Sequence, residues 1–206
     1  TIVAPADGSS TGTLTPTVRG TAPVSEAGST VEVYSGSTLV GTGTISPSGT
    51  WSFTANTFGT DGTYTMSGRI VDLGSNTGPW GNEVTFTIDT TAPTVTPTII
   101  APADGSSTGT LTPTVRGTAP VAEAGSTVEV YSGSTLVGTG TISPSGTWSF
   151  TANSFGVDGT YTMSGRIVDL GSNIGPWGNE VTFTIDTTAP TATPTIIAPA
   201  DGSSTG

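Results

Sequence analysis

Apolar and polar residues alternate with period two along most of this chain. Val31-Glu32-Val33-Tyr34 and Thr50-Trp51-Ser52-Phe53-Thr54 set β-branched and aromatic side chains against Thr, Ser and Glu. Tyr64-Thr65-Met66-Ser67 and Val84-Thr85-Phe86-Thr87-Ile88 do the same. Successive side chains of a strand point to opposite faces of its sheet, so this pattern predicts half-buried β-strands. Leu39 to Ile45 and Pro16 to Thr21 make two more. Turn formers separate the runs: Asp7-Gly8, Ala27-Gly28, Ser35-Gly36, Pro47-Ser48-Gly49, Asp61-Gly62 and Gly78-Pro79. No stretch carries a helical period. The inward positions, and hence the expected core, are Val18, Val31, Val33, Ile45, Trp51, Phe53, Tyr64, Met66, Ile70, Val84, Phe86 and Ile88.

The pattern then begins again. Thr1 to Gly8 returns as Thr98 to Gly105, an offset of 97 residues, and starts a third time at Thr195. Within one period only Val3/Ile100, Ser25/Ala122, Thr57/Ser154, Thr60/Val157, Thr77/Ile174 and Val95/Ala192 differ. The chain divides into repeats over 1–91 and 92–188, with the start of a third over 189–206, so it reads as a piece of a longer array. About seven short strands per repeat, spaced by turns, predict an all-β chain of immunoglobulin-like β-sandwiches stacked head to tail as a monomeric rod. The Cys–Trp–Cys spacing of antibody domains is missing, which makes this a variant. Burying a dozen such side chains at roughly 1.5–3 kcal/mol each makes a repeat viable without disulfides. Near-identical copies suit a spacer, which gains length with each copy, better than a specific site, which needs only one.

Composition narrows the chemistry. Gly (30) and Pro (15) are abundant and 33% of residues are apolar, a mix that would suit disorder were the aromatic and β-branched residues not so regularly placed. Fifteen acidic residues face four arginines and no lysine, for a net charge of −11. Such a surface repels nucleic acid and anionic membrane and is compatible with divalent cations. There is no Cys and no His, which removes disulfides, thiolate zinc sites, Cys nucleophiles and the usual general base. No apolar run approaches the ~20 residues that span a bilayer, and nothing reads as a signal peptide. The chain is expected to be soluble, with any targeting or anchoring signal elsewhere in a longer protein.

Longer runs bear a family resemblance. Gly-Thr-Ala-Pro-Val-Ser-Glu-Ala-Gly-Ser-Thr-Val-Glu-Val-Tyr (20–34), Ser-Gly-Thr-Trp-Ser-Phe (48–53), Asp-Gly-Thr-Tyr-Thr-Met (61–66) and Gly-Asn-Glu-Val-Thr-Phe-Thr-Ile-Asp-Thr-Thr-Ala-Pro (81–93) resemble the bacterial Ig-like repeats of giant biofilm-associated and RTX-type surface adhesins. The resemblance covers essentially the whole chain. It implies an extender outside the bacterial cell that holds an adhesive tip away from the surface. It also implies Ca²⁺ at domain junctions, which stiffens the rod. One departure is the segment Asp72 to Asn82, longer than the family's short loop and containing an inserted Pro79-Trp80.

Topology locates candidate ligands independently. In a sandwich of alternating strands, loop 22–29 with Glu26 and loop 72–82 with Asp72 and Asn82 share the end where the chain enters. Asp61 and Asp89 share the exit end. In an array, Asp89 of the first repeat would then approach Asp169, Glu123 and Asn179 of the second; Asp186 is the later counterpart of Asp89. Carboxylates so grouped suit Ca²⁺, a hard ion with oxygen ligands. Against this, Asp61-Gly62 is a turn pair first. The connection Thr90 to Pro97 favours extended or polyproline backbone, because each Pro restricts itself and its predecessor.

Three rival readings remain. Trp80 and Trp177, placed in loops, could stack on a sugar ring in a carbohydrate- or protein-binding module. Thr-x-Thr pairs such as Thr42/Thr44 and Thr85/Thr87 could form an ice-binding plane, although alternating Thr is what an outward strand face looks like. A two-carboxylate glycosidase needs paired acids in a cleft, and the acids here stand at turns and strand ends. The reading taken forward is a non-enzymatic spacer, with neighbouring repeats as partners and no small-molecule substrate.

Overall fold

The alternating runs fold as strands in the computed structural model, which describes residues 1–198 and Gly202. The expected start of a third repeat extends past these, so its residues 199–201 and 203–206 lie outside the described residues. The first repeat comprises β1 (Ile2–Ala4), β2 (Ser10–Thr11), β3 (Thr17–Thr21), β4 (Thr30–Ser35), β5 (Thr38–Thr44), β6 (Thr50–Thr54), β7 (Gly62–Val71) and β8 (Thr77–Ile88). They form a three-stranded sheet ordered β1-β3-β6 and a five-stranded sheet ordered β2-β8-β7-β4-β5. The second repeat reproduces this with β9 (Thr98–Ala101), β10 (Ser107–Thr108), β11 (Thr114–Thr118), β12 (Thr127–Ser132), β13 (Thr135–Thr141), β14 (Thr147–Thr151), β15 (Gly159–Val168) and β16 (Ile174–Ile185). This is the tandem all-β sandwich that the alternation predicts.

Each repeat has eight strands because its opening segment is divided between the sheets. β1 pairs antiparallel with β3, while β2 pairs parallel with β8. Asn82 fastens the first piece: its Oδ1 accepts from Ile2 N at 2.8 Å and its Nδ2 donates to Ile2 O at 3.1 Å. Neither β1 nor β2 stands out in the sequence, since both are short and separated by Pro5 and Asp7-Gly8.

The core lies between the sheets. Val18, Val33, Met66, Phe86 and Ile88 are essentially sealed from solvent, with Phe53, Tyr64 and Ile70 half-buried against them. Ile2, Val40 and Ala55 join the core without having been expected there. Tyr64 points its ring inward and its hydroxyl back to the chain, donating to Thr60 O at 2.8 Å and Phe58 O at 3.2 Å. The hydroxyl is thus satisfied while the ring packs on Phe58, with centroids 4.6 Å apart.

Trp80 and Trp177 are not loop residues. β8 begins at Thr77 and pairs Arg69 with Trp80, and the register against β7 shifts twice to absorb the inserted Pro79-Trp80. Proline is tolerated there because β8 has β7 on one side only at that level; β2 meets it much later, at Thr87 and Ile88.

The connection between repeats lies on the second one. Pro93 and Pro97 are buried, and Val95 packs against the second core. The effect shows in the residues beneath: Ile167 is fully buried, whereas its counterpart Ile70, which has no such cover, is half-buried.

Candidate functional site

The meeting of the two repeats, where Asp89 faces the loop that carries Asp169, is built from three pieces. The first is the exit from β8. Asp61, in the turn before β7, accepts from Thr90 N at 3.0 Å, Thr90 Oγ1 at 2.8 Å and Thr91 Oγ1 at 3.0 Å. The Thr90 hydroxyl, followed by the Thr90 amide, holds the Asp61 carboxyl below its ordinary range. Asp89 turns its own carboxylate onto Thr91 N at 3.1 Å. The departing chain therefore leaves the first repeat in a fixed direction. Asp158 and Asp186 repeat the arrangement on Thr187 and Thr188.

The second piece is the loop between β15 and β16. Asp169 accepts from Asn173 N at 2.8 Å and from Asn173 Nδ2 at 3.0 Å and 3.2 Å, closing the loop as an Asx-type turn. Ser172 takes the left-handed backbone conformation, with φ of 69°. The same carboxylate–amide closure joins Asp72 to Asn76 in the first repeat, where it draws the Asp72 carboxyl below its ordinary range.

The third piece joins the first two. Asn173 Nδ2 also donates to Asp89 O, 2.6 Å away across the junction. Gly171 lies flat against this contact: a Cβ there would stand 2.5 Å from Asp89 O and 2.8 Å from Asn173 Nδ2. Gly12 of the first repeat is packed as closely onto Gly171 O, so two glycines let the two backbones touch. Accordingly Gly171 is buried while Gly74, its counterpart, is exposed.

Of the expected ligands, Asp89 and Asp169 do meet, through the Asp89 carbonyl and the Asp169 carboxylate around one Asn173 amide. The wider carboxylate group is not assembled. Asn179 is taken up by Ile99, with its Oδ1 on Ile99 N at 2.8 Å and its Nδ2 on Ile99 O at 3.2 Å. Glu123 and Glu26 close the 3-10 turns Val121–Glu123 and Val24–Glu26. Asp72 serves its own loop, and Asp61 and Asp186 serve the exit segments. Among the described residues no group of three or more acidic side chains is placed to hold a metal ion. The physical reason is that each Asp is already met by other donors: Asp72, Asp89 and Asp169 within their own turns, and Asp61 by Thr90 and Thr91 some 30 residues along the chain. Asn173, Gly171 and Gly12 were not singled out from the sequence, since their roles depend on a contact 84 residues apart.

The tryptophans belong to a different cluster, on the outer face of the five-stranded sheet. The Arg69 guanidinium lies 5.4 Å from the Tyr34 ring and 5.2 Å from the Trp80 ring, and donates from Nε and Nη2 to Glu32 Oε2 at 3.1 Å and 3.0 Å. The Tyr34 hydroxyl reaches the same oxygen at 3.2 Å. Arg166, Tyr131, Trp177 and Glu129 form the matching cluster. Thr pairs on that sheet bond to each other, as in Thr65 Oγ1 to Thr85 Oγ1 at 2.9 Å. Among the described residues no helix is long and apolar enough to cross a membrane.

Residues 4–90 and 97–187 each match the family described as bacterial Ig-like domain. No curated protein matches the chain in sequence. Among solved structures, the fibronectin(III)-like modules of Clostridium thermocellum CbhA are similar at TM-score 0.58 and 18% identity, over 90% of this chain and 93% of that one, which is a likeness of fold. A tetra-tandem repeat in the extending region of a large adhesion protein has TM-score 0.34 and 21% identity, over 87% of this chain and 49% of that one. A biofilm-associated protein BSP domain has TM-score 0.33 and 22% identity, over 89% and 29%.

Proposed function

Because the chain belongs to the bacterial Ig-like domain family, in two tandem copies, we propose that it is a structural spacer of a bacterial surface adhesin, projecting an adhesive region from the cell. The supporting observation is the junction. Asp61 fixes the direction of exit, Pro93 and Pro97 are buried on the next repeat, and Asn173 bonds across to Asp89. A linker held at both ends carries orientation from one sandwich to the next, and that is what a spacer requires. A location outside the cell is part of the same proposal, supported by family membership and by a Thr- and Ser-rich acidic surface.

Calcium enters this reading only at the junction. The Asp89 carbonyl and the Asp169 carboxylate are the groups that would hold it, in place of the Asn173 amide N–H that bonds to both. A bound Ca²⁺ takes about 6–8 oxygens, so water would supply much of its shell.

Small-angle scattering with calcium and then with excess chelator tests both parts. A maximum dimension matching two sandwiches end to end supports the spacer, and a folded-back profile in both conditions overturns it. Loss of stiffness on chelation assigns the cation to this junction. An unchanged extended profile leaves the joint to hydrogen bonds and packing and removes calcium from the reading.

A further inference from the structure

Each repeat carries a fixed but uncovered tryptophan on the outer face of its five-stranded sheet. Trp177 pairs with Arg166 in the register of β15 and β16, has the Arg166 guanidinium 5.1 Å from its ring, and meets the Tyr131 ring edge-on at 5.6 Å. Arg166 is itself held by Glu129 Oε2, to which it donates from Nε at 3.1 Å and Nη2 at 2.9 Å. With all these contacts made, 48% of Trp177 still faces solvent, as does 53% of Trp80 in the first repeat. The ion pair and the two rings orient this aromatic surface without burying it, which leaves it open to a ligand.

Trp177 borders an open depression of about 490 Å³ lined also by Tyr131, Gly133, Thr162, Ser164 and Glu180. Tyr131, Thr162, Ser164 and Glu180 adjoin the buried Val130, Met163 and Val181 along their strands, so they point outward. Strand pairing gathers them, since Ser164 lies opposite both Tyr131 and Glu180. Glu180 is exposed. The ion pairs of Arg69 and Arg166 go to Glu32 and Glu129, so among the described residues Glu83 and Glu180 keep free carboxylates. A flat apolar surface therefore stands beside a carboxylate and a hydroxyl. The first repeat sets Tyr34, Ser67, Trp80 and Glu83 in the same register.

The charges select among ligands. A guanidinium already lies against both rings, which disfavours a second cation there. Glu180 and a net charge of −11 disfavour an anion. What suits the surface is a neutral molecule with one apolar face and a rim of hydroxyls. We propose that this depression, once in each repeat, binds a neutral oligosaccharide built of pyranoses with equatorial hydroxyls. The axial C–H bonds of such a sugar form an apolar face with partial positive charge, which complements the negative face of an indole. One sugar lies against Trp177, its hydroxyls donate to the Glu180 carboxylate, and the Ser164 hydroxyl completes the set. Trp80, Glu83 and Ser67 do the same in the first repeat. This goes beyond the spacer reading and does not depend on it.

The test is a titration of the full chain with cellopentaose and with laminaripentaose, followed through the indole N–H resonances of its four tryptophans. Trp51 and Trp148 are buried in the cores and serve as internal controls. The expected result is a saturable shift of the Trp80 and Trp177 signals while those of Trp51 and Trp148 stay in place. Trp177→Ala should abolish binding at the second repeat and leave the Trp80 shift intact, with the unmoved Trp148 signal showing that the variant is folded. Glu180→Gln should weaken binding at the second repeat about tenfold, the loss of one charge-assisted hydrogen bond. No shift with either pentasaccharide overturns the proposal. So does equal movement of all four indoles, or binding at the second repeat that survives both substitutions.

Discussion

Asn173 donates its side-chain amide to the main-chain oxygen of Asp89 at 2.6 Å, while Asn76, the same residue one period earlier, bonds to Asp72 of its own loop. Identical loops thus serve two purposes, decided by whether a neighbouring repeat abuts them. The loop closure is intrinsic to the sequence, and the bond across the junction arises from stacking.

Asn173→Ala should therefore loosen the junction, whereas Asn76→Ala should affect only its loop. One neutral hydrogen bond contributes about 0.5–1.5 kcal/mol net, so each sandwich should keep its melting behaviour while the angle between them broadens. Residual dipolar couplings measured separately for the two repeats read this directly. Equal alignment tensors in the Asn173→Ala chain and the parent would refute it.

The exit clasp should respond to acid. Asp61 is held below its ordinary range, chiefly by the Thr90 hydroxyl and then the Thr90 amide. The folded form therefore favours the carboxylate. Its contribution is complete at and above the ordinary carboxylate range and is lost as pH falls through the lowered value. The Thr90 amide resonance should titrate below the ordinary range, and Asp61→Asn should abolish that titration.

Arg69→Ala should lower the midpoint of denaturant unfolding, because it removes a partly exposed ion pair together with guanidinium–ring contacts. Both charged side chains are only 25–29% exposed. Arg69→Lys should not restore the loss, because an ammonium cannot lie flat between Tyr34 and Trp80 while bonding Glu32. Full recovery with Lys would mean that charge alone matters here.

Met66→Ala should cost about 2–5 kcal/mol through the cavity it leaves between the sheets. The cores are separate clusters, so the damage should stay in one repeat. Calorimetry should resolve an early transition for the altered repeat and an unshifted one for its neighbour. A single shifted transition would show the repeats unfolding as one unit.

Much of the fold can be read in the chain before any coordinates, because period-two alternation and the 97-residue repeat are local and redundant. Val18, Val33, Met66, Phe86 and Ile88 are inward by that rule alone and are buried. β1 and β2 escape it, being too short to show a period and interrupted by turn residues. Pro79-Trp80 reads as a loop because proline deletes a ladder donor; the register shifts and the one-sided pairing that accommodate it are properties of the sheet. The site was less legible. Alternating strands correctly bring Asp89 toward the loop that carries Asp169. Nothing local, however, reveals that Asp61 binds Thr90, that Asn179 is engaged with Ile99, or that Gly12 and Gly171 let two backbones meet.

The parallel pairing of β2 with β8 has a mechanical consequence. Gly8 N to Thr85 O at 2.7 Å, Thr87 N to Ser9 O at 2.8 Å and Asp89 N to Thr11 O at 2.9 Å lie along β2 and the last strand of the repeat, β8. A pull on the two ends of the chain drags these neighbours past one another along their length. The three bonds are then loaded together in shear, where a hairpin pulled from its open end would release them one at a time. Each sandwich resists extension along the pair formed by its second strand and the strand by which the chain leaves it.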